Sequence, residues 1–296
     1  MTTSLDSPTV SVIIPSFNCA PYISQAISSA LSSRGVSLEV LVIDDESTDG
    51  TWRILEGFGD SIRRFRQSKG GPYKARNLGS RLAQGQWLAF LDADDDWLPD
   101  KLAKQLAVAD DETQLVYTDR FNFGDTHRVK KRQSEIGVLF EGEVFEALLL
   151  GNFITLSSVM IRKGSFEQLG GFSESHPGVQ DWDLWLRCAS LGYEVKVVRE
   201  PLTRYRIHEH QMSGELDLRA AERVAVVQRA LQTPRGQKVA RRVSQQAMAG
   251  VWKVGAWDAA RTRRWKAIGW YLRSAFYWPR DIQVYKEIVK CLLDRA

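Results

Sequence analysis

The sequence predicts an α/β fold with a mainly parallel central sheet, helices on its faces and a helical extension at its C-terminus. Three observations lead to this prediction. Short β-branched and apolar runs alternate with stretches of helical spacing over residues 10–91, and acidic residues directly follow two of these runs. From residue 216 onward the pattern is almost entirely helical. Strands that alternate with helices form βαβ units, in which the strands are parallel.

Largely continuous apolar runs at 10–14, 38–43 and 87–91 predict strands covered by helices on both faces. A short strand is predicted at 62–66, and less regular runs fall at 115–117, 157–161 and 194–198. Apolar residues at helical spacing predict helices at 20–31, after the turn at 47–50, at 72–83, at 180–191 and from 216 onward, with breaks near Pro234 and Pro279.

Charge and tryptophan content separate two predicted domains, 1–214 and 215–296. Of the 296 residues, 44% are hydrophobic and 26% are charged, as in an ordinary folded protein. The net charge is only +4, but residues 240–296 contain 12 Lys or Arg against 4 Asp or Glu. Five of the ten tryptophans also lie there. The second domain is therefore predicted to be basic, tryptophan-rich and helical.

Several classes of protein are excluded by missing motifs. The first strand is not followed by G-x-G-x-x-G, and no G-x-x-x-x-G-K-[ST] occurs, which argues against dinucleotide-binding proteins and P-loop NTPases. The cysteines, Cys19, Cys188 and Cys291, are scattered and odd in number, as expected in a reducing cytoplasm. No secretory pattern or apolar stretch of about 20 residues is present, so we expect a cytoplasmic protein that is not integral to a membrane.

Acidic residues cluster at three places where a ligand of such a fold would bind. Asp44 and Asp45 end one predicted strand, a run of acids from Asp92 ends another, and Asp181 begins a predicted helix. Ligands of open α/β sheets bind at the carboxyl edge of the strands. Mg²⁺ takes one or two carboxylates and completes its shell with water and substrate phosphates. The alternative is that the acids at 94–96 cap a helix opened by Pro99, with Asp96 as the cap.

Six ordered blocks make the pattern more specific: PSFN, VIDDESTDGT, KGGPYKARNLGS, WLAFLDADDDWLPDKL, LGGFSE and QDWDLWLR. Together they resemble the family 2 glycosyltransferases of the GT-A fold over about residues 9–213. The resemblance implies a hexosyltransferase type of enzyme that uses a nucleotide-sugar donor and a divalent metal, Mg²⁺ or Mn²⁺, and inverts the anomeric carbon.

The resemblance also implies a nucleotide-sugar-binding group of Pro15, Phe17, Asp45, Arg76 and Asp92. Pro15 and Phe17 would line the base pocket, and Asp45 would accept a hydrogen bond from the base, a role that suits a carboxylate. Arg76 would bind the diphosphate through its planar donor pair. The alternative for Arg76 is a solvated helix residue. Asp92 would contact the ribose or uridine.

Asp94 and His208 are the metal ligands that the resemblance implies, and Asp95 lies behind them in a supporting position. The metal would neutralise charge that develops on the leaving diphosphate. His208 belongs to a segment, 203–208, that resembles the family's flexible part that closes the site. A lone histidine is otherwise usually structural or merely exposed.

Asp181 matches the family's catalytic base, which takes the proton of the acceptor hydroxyl. The chain departs from the family here, because Gln180 stands where Glu is usual. Trp182 and Asp183 are expected on the acceptor side. The tryptophan could stack on a sugar ring, or it could pack in the core.

The implied function is transfer of a sugar from a UDP-, GDP- or dTDP-sugar, with UDP as first choice, to a hydroxyl of a glycan or lipid-linked acceptor. That reaction fits cell-surface polysaccharide or lipopolysaccharide biosynthesis. The alternatives are a sugar nucleotidyltransferase and a non-catalytic module that binds nucleotide sugars or glycans. Residues 250–278 suggest peripheral contact with the inner face of the cell membrane, or packing on the catalytic core, and no nucleic-acid partner is expected.

Overall fold

The computed structural model describes residues 8–124, 131–208, 216–260 and 262–293. The described strands are β1 (Val10–Ser16), β2 (Leu38–Asp44), β3 (Arg63–Arg66), β4 (Trp87–Phe90), β5 (Asp96–Trp97), β6 (Thr113–Gly124), β7 (Met160–Arg162) and β8 (Glu194–Ile207). The described α-helices are α1 (Ile23–Leu31), α2 (Thr51–Gly57), α3 (Pro72–Leu82), α4 (Lys101–Val108), α5 (Gln133–Ile136), α6 (Phe145–Leu150), α7 (Lys163–Gln168), α8 (Gln180–Ser190), α9 (Leu216–Gln232), α10 (Arg241–Ala259), α11 (Arg264–Tyr277) and α12 (Ile282–Leu293).

The strands form one sheet in the order β3-β2-β1-β4-β7-β6-β8-β5. The pairs among β1 to β4 are parallel, as is β6 with β8. β7 is antiparallel to both β4 and β6, and β5 is antiparallel to β8. The α/β prediction is confirmed, and the sheet is mixed. The antiparallel pairs all involve β5 or β7, which at 2 and 3 residues are too short to show a periodicity in the sequence.

Helix α3 packs closely on the centre of the sheet. A Cβ atom at Gly79 would lie 2.6 Å from Ile13 Cγ2 and 3.3 Å from Ile43 Cγ1, closer than side chains normally approach. Ile13 and Ile43 belong to β1 and β2 and are fully buried. The missing side chain of Gly79 therefore lets the helix lie directly on these two strands.

The acids after β4 do not cap the next helix. Helix α4 begins at Lys101, and its N-cap residue is Asp100. Asp96 instead lies in β5, where its carboxylate pairs with Arg204 across the strand pair, with Oδ1 3.1 Å from Nε. The expectation that Asp96 is the helix cap is therefore wrong, because a short strand separates the acids from the helix.

The chain forms two compact units. The first takes its described residues from Met1–Glu143, Phe153–Pro177 and Tyr193–Glu209, and the second takes its described residues from Val144–Asn152, Gly178–Gly192 and His210–Ala296. The second unit thus includes two segments that precede residue 214. The predicted division into 1–214 and 215–296 stays a prediction.

The second unit has its own apolar core. Ala256, Trp270, Tyr271 and Val284 are buried in it, and Trp252 packs against it. Two other tryptophans of this segment, Trp257 and Trp265, are exposed. Packing in this core therefore explains only some of the tryptophans in residues 240–296. Across the residues that the structure describes, no helix combines the length and apolar character needed to cross a membrane.

Candidate functional site

The acidic residues of the first unit meet at one edge of the sheet. β1 lies between β2 and β4 and is parallel to both, with Ser16 opposite Asp44. Asp45 follows β2, and the acids from Asp92 follow β4 after a single apolar residue. Because the three strands run in the same direction, these side chains emerge at the same carboxyl edge.

Asp45 is buried and holds the glycine-rich loop before α3. Its Oδ1 accepts hydrogen bonds from Gln67 Nε2 at 2.7 Å and from the Gly70 backbone N–H at 2.8 Å, and its Oδ2 accepts one from the Gly71 N–H at 2.8 Å. A carboxylate has about four acceptor positions. Three are occupied, which leaves one for the N–H of a base. The base-binding role of Asp45 stays a prediction.

The two residues expected in the base pocket differ in exposure. Phe17 is 40% exposed, and the ammonium of Lys69 lies 4.3 Å from its ring centroid. Pro15 is buried within β1, opposite Ile43. A partly exposed aromatic ring thus lies at the sheet edge with Lys69 over it, whereas Pro15 lies inside the strand. Their assignment to the base pocket stays a prediction.

Arg76 and Asp92 form an ion pair at this edge. The Arg76 guanidinium is buried and lies 5.7 Å from the centroid of the Phe172 ring. The Asp92 backbone N–H donates to Ser157 Oγ at 3.1 Å. The solvated alternative for Arg76 is wrong, because the side chain is buried against Asp92. Its contact with a diphosphate stays a prediction.

Asp94 and His208 lie side by side although they are distant in the chain. Asp94 Oδ2 is 3.0 Å from His208 Nε2, and the imidazole ring lies against Tyr22 with the ring centroids 5.2 Å apart. Burial, reinforced by the negative charge of Asp92, raises the pKa of Asp94. The structure thus brings together the two residues expected to bind metal, and their role as ligands stays a prediction.

Asp95 is fixed by two donors that the sequence did not identify. Its Oδ1 accepts the Arg206 backbone N–H at 2.8 Å, and its Oδ2 accepts the Ser157 hydroxyl at 2.6 Å. Burial, followed by the charges of Asp94 and Asp92, raises the pKa of Asp95 well above its ordinary value. Asp95 therefore lies behind Asp94 in a supporting position.

Arg206 braces the same turn from its side chain. Its Nε donates to the Asp94 carbonyl oxygen at 2.8 Å, and its NH2 donates to Gln25 Oε1 at 2.8 Å. Gln25 Nε2 in turn donates to Asp96 Oδ2 at 2.6 Å. One arginine thus ties β8 and α1 to the acidic turn. The only signal in the sequence was its place in the 203–208 segment.

The donor set at Asp94 fits a hard divalent cation. It offers a carboxylate oxygen and an imidazole nitrogen, and the pKa values of Asp94 and Asp95 are raised first by burial and then by neighbouring negative charge, which a cation would offset. No group of three His, Cys, Asp or Glu residues arranged to hold a metal occurs in the described parts of the chain. A metal that shares its shell with substrate phosphates needs only one or two protein carboxylates.

Asp181 lies in the second unit, in the first turn of α8. Its Oδ2 accepts a hydrogen bond from Asn152 Nδ2 at 2.8 Å. The side chain is only partly buried. An accessible carboxylate can serve as a general base, and that role stays a prediction.

Trp182 and Asp183 anchor α8 within the second unit. The Trp182 indole N–H donates to the Leu148 carbonyl oxygen at 2.7 Å. Asp183 is fully buried and forms ion pairs with Arg187, at 2.9 Å from Nε, and with Arg229. These contacts orient the helix that carries Asp181. A direct role of either residue on the acceptor side stays a prediction.

Comparison with known proteins places this chain in a family. Residues 11–170, more than half of the chain, match the model of glycosyl transferase family 2. The chain belongs to glycosyl transferase family 2. The resemblance seen in the six sequence blocks is thereby confirmed.

Two curated relatives illustrate the range of family 2 proteins to which the chain is similar. An uncharacterized glycosyltransferase of Rickettsia felis is 29% identical over 222 residues, which cover 71% of this chain and 36% of that protein. The UDP-Glc:alpha-D-GlcNAc-diphosphoundecaprenol beta-1,3-glucosyltransferase WfaP of Escherichia coli is 30% identical over 209 residues, or 69% of this chain and 80% of that protein. The chain spans little more than a third of the Rickettsia felis relative.

Solved structures show the same fold. TarS 1–349 of S. aureus has a TM-score of 0.67 at 16% identity, with coverage of 96% of this chain and 91% of that one. The mannosyltransferase PcManGT from Pyrobaculum calidifontis, in complex with GDP-Man and Mn²⁺, has a TM-score of 0.63 at 21% identity and covers 99% and 89%. The predicted GT-A architecture with C-terminal helices is confirmed.

Proposed function

We propose that this family 2 chain transfers a sugar from a nucleoside-diphosphate sugar, with UDP as first choice, to a hydroxyl of a glycan or lipid-linked acceptor. The observation that carries the proposal is the cluster of Asp92, Asp94 and His208, at the same carboxyl edge of the sheet as Asp45. Two similar proteins support the choice of donor, because WfaP is named for UDP-Glc and TarS 1–349 is described in complex with UDP-GlcNAc.

The residues of the site have separate tasks in this proposal. Asp45 and Phe17 hold the base, and Arg76 and Asp92 hold the ribose and diphosphate side of the donor. Asp94 and His208 would hold a divalent cation, which would neutralise the charge that develops on the leaving diphosphate. Arg206 and Ser157 keep Asp94 and Asp95 in place, so that the donor meets a preorganised site.

Asp181 completes the proposed reaction as the base. It accepts the proton of the acceptor hydroxyl while the hydroxyl oxygen forms its bond to the anomeric carbon. The bond between the anomeric carbon and the diphosphate, on the opposite face, breaks at the same time, and the nucleoside diphosphate leaves with the electron pair. Attack from the face opposite the diphosphate inverts the anomeric centre. Asn152 orients the Asp181 carboxylate through its 2.8 Å hydrogen bond.

The acceptor is proposed from the names of relatives. WfaP is named for an acceptor on diphosphoundecaprenol, and TuaG of Bacillus subtilis, 30% identical over 215 residues, is a putative teichuronic acid biosynthesis glycosyltransferase. We infer a role in cell-surface polysaccharide assembly at the inner face of the membrane, with peripheral contact through 250–278.

Ligand binding tests the donor first. The melting temperature is measured with UDP, GDP, dTDP and their glucose conjugates. Each ligand is tested once with Mn²⁺ and once with a chelator in place of Mn²⁺. A ligand of the folded state raises the melting temperature by mass action. We expect UDP-glucose to raise it with Mn²⁺ and Asp94→Asn to lose that shift. Release of UDP from UDP-glucose then measures turnover, and no shift with any nucleotide sugar would refute the proposal.

A further inference from the structure

Helix α11 is apolar on two opposite faces. Its inner face buries Ala267, Trp270, Tyr271, Ser274 and Ala275 in the second unit. Surface helices of globular proteins normally direct charged and polar residues to the other side. Here the other side is a second apolar stripe, which packing within the described chain does not cover.

The outer stripe consists of large side chains on one line. Trp265, Leu272 and Phe276 are 68%, 55% and 83% exposed, and their spacing of seven and four residues places them on the same face of α11. Gly269 lies between them in the sequence, and a Cβ added there would meet nothing within 4 Å. The stripe therefore faces open solvent.

Helix α12 repeats this arrangement. Val284 and Cys291 are buried on its inner face, whereas Ile282, Val289 and Leu293 are more than half exposed on the outer one. The outer face is bordered by exposed lysines, Lys286 and Lys290. We call the outer stripes of α11 and α12 the apolar outer faces.

Charge decides which kind of partner fits these faces. Helix α11 contains Arg264, Lys266 and Arg273 and no acidic residue, and residues 240–296 hold 12 basic against 4 acidic residues. A second copy of the same surface would bring like charges together. An anionic lipid surface instead attracts the cations, while tryptophan and phenylalanine enter the boundary between headgroups and acyl chains.

We propose that the apolar outer faces of α11 and α12 bind the surface of an anionic lipid bilayer. Trp265, Leu272 and Phe276 enter the interface, and the cations of both helices contact the headgroups. The proposal specifies the residues that make the membrane contact. It rests on the peripheral membrane contact in the proposed function, and its test is separate from that of sugar transfer, because binding to lipid is measured without any substrate.

Cosedimentation of the full chain with vesicles tests the proposal. Vesicles of phosphatidylcholine alone are compared with vesicles of equal parts phosphatidylcholine and phosphatidylglycerol. We expect binding to the anionic vesicles that weakens with added salt. Trp265→Ser with Phe276→Ser should weaken it by at least about tenfold, because two aromatic side chains no longer leave water. Lys286→Gln should weaken it about fivefold, and less at high salt.

A matched pair of leucines provides the control. Leu191 is 57% exposed and lies in the same unit as Leu272, away from α11 and α12 in the sequence. Leu272→Ser should weaken vesicle binding and Leu191→Ser should not, with equal melting temperatures. Equal binding by the Trp265→Ser/Phe276→Ser variant, or no binding by the parent chain, overturns the proposal. So does light scattering that shows an oligomer which this variant dissociates, since the faces would then bind a second copy.

Discussion

Asp94 Oδ2 lies 3.0 Å from His208 Nε2, across a separation of 114 residues in the chain. Asp94 follows β4, and His208 directly follows β8. The pair therefore exists only because β8 reaches the same edge of the sheet as the acidic turn. A carboxylate and an imidazole in this position are the chemical basis of the proposed metal-dependent transfer.

Loss of the Asp94 carboxylate should nearly abolish turnover. In the presence of Mn²⁺, we expect Asp94→Asn to lower the release of UDP from UDP-glucose by about a hundredfold or more. The reason is that the variant lacks the negative charge that attracts the cation bound to the diphosphate. His208→Gln should cost about tenfold. Asp60→Asn, at an exposed position of the same unit, is the control and should keep full activity. An active Asp94→Asn enzyme would contradict the assignment.

Arg206 should act on metal binding through the turn that it braces. Arg206→Met removes the hydrogen bonds to the Asp94 carbonyl and to Gln25, so the Mn²⁺ concentration for half-maximal activity should rise about tenfold. Arg204→Met is the matched control, because Arg204 lies on the same strand and pairs with Asp96 instead. The Mn²⁺ titration distinguishes positioning from general stability. Equal Mn²⁺ dependence in both variants would show that Arg206 is only structural.

Replacement of Asp181 should impair transfer without affecting donor binding. Asp181→Asn retains the hydrogen bond geometry with Asn152 on one oxygen but cannot accept a proton, so transfer should fall by about a hundredfold to ten-thousandfold. The thermal shift produced by UDP-glucose and Mn²⁺ should be unchanged. Transfer at the parent rate would remove Asp181 from the mechanism.

Burial of Lys101 should make the free energy of unfolding depend on pH below 10.5. The side chain is fully buried, its ammonium lies 4.0 Å from the centroid of the Trp97 ring, and burial lowers its pKa well below 10.5. The unfolded chain then binds more protons than the folded one between the two pKa values. The free energy of unfolding should therefore rise with pH in that window, by up to about 1.4 kcal/mol per pH unit.

Urea unfolding at several pH values measures this effect. Lys101→Met should remove the slope, and Lys104→Met, at a partly exposed position of the same helix, should retain it. Parallel curves for the parent chain and Lys101→Met would show that the amine stays charged in the fold.

The sequence predicted most of the elements that build the sheet edge. The strands that end in Asp44 and before Asp92 are apolar and separated by helical stretches, so their type and direction follow from pattern alone. The start of α8 at Gln180 was also predicted. These features depend on residues close together in the chain.

Contacts between distant elements were not predictable. Ser157 and Arg206 both bind Asp95, yet neither lies in an acidic or glycine-rich motif. The short strand β5 could not be recognised, and Asp96 was therefore misassigned as a helix cap. The burial of Asp183 between Arg187 and Arg229 likewise depends on where α9 lies, which periodicity does not indicate.

The three hydrogen bonds that Asp45 accepts have a practical consequence for mutagenesis. Its carboxylate fastens the Gly70 and Gly71 amides at the entrance to α3. An alanine at this position would remove the hydrogen bonds to the Gly70 and Gly71 amides. It would also remove the acceptor proposed for the nucleobase. A defect in Asp45→Ala would therefore combine a loosened glycine turn with lost recognition. Asp45→Asn keeps one accepting oxygen for part of these hydrogen bonds, although its NH2 group would face the remaining donor, so it should loosen the turn less.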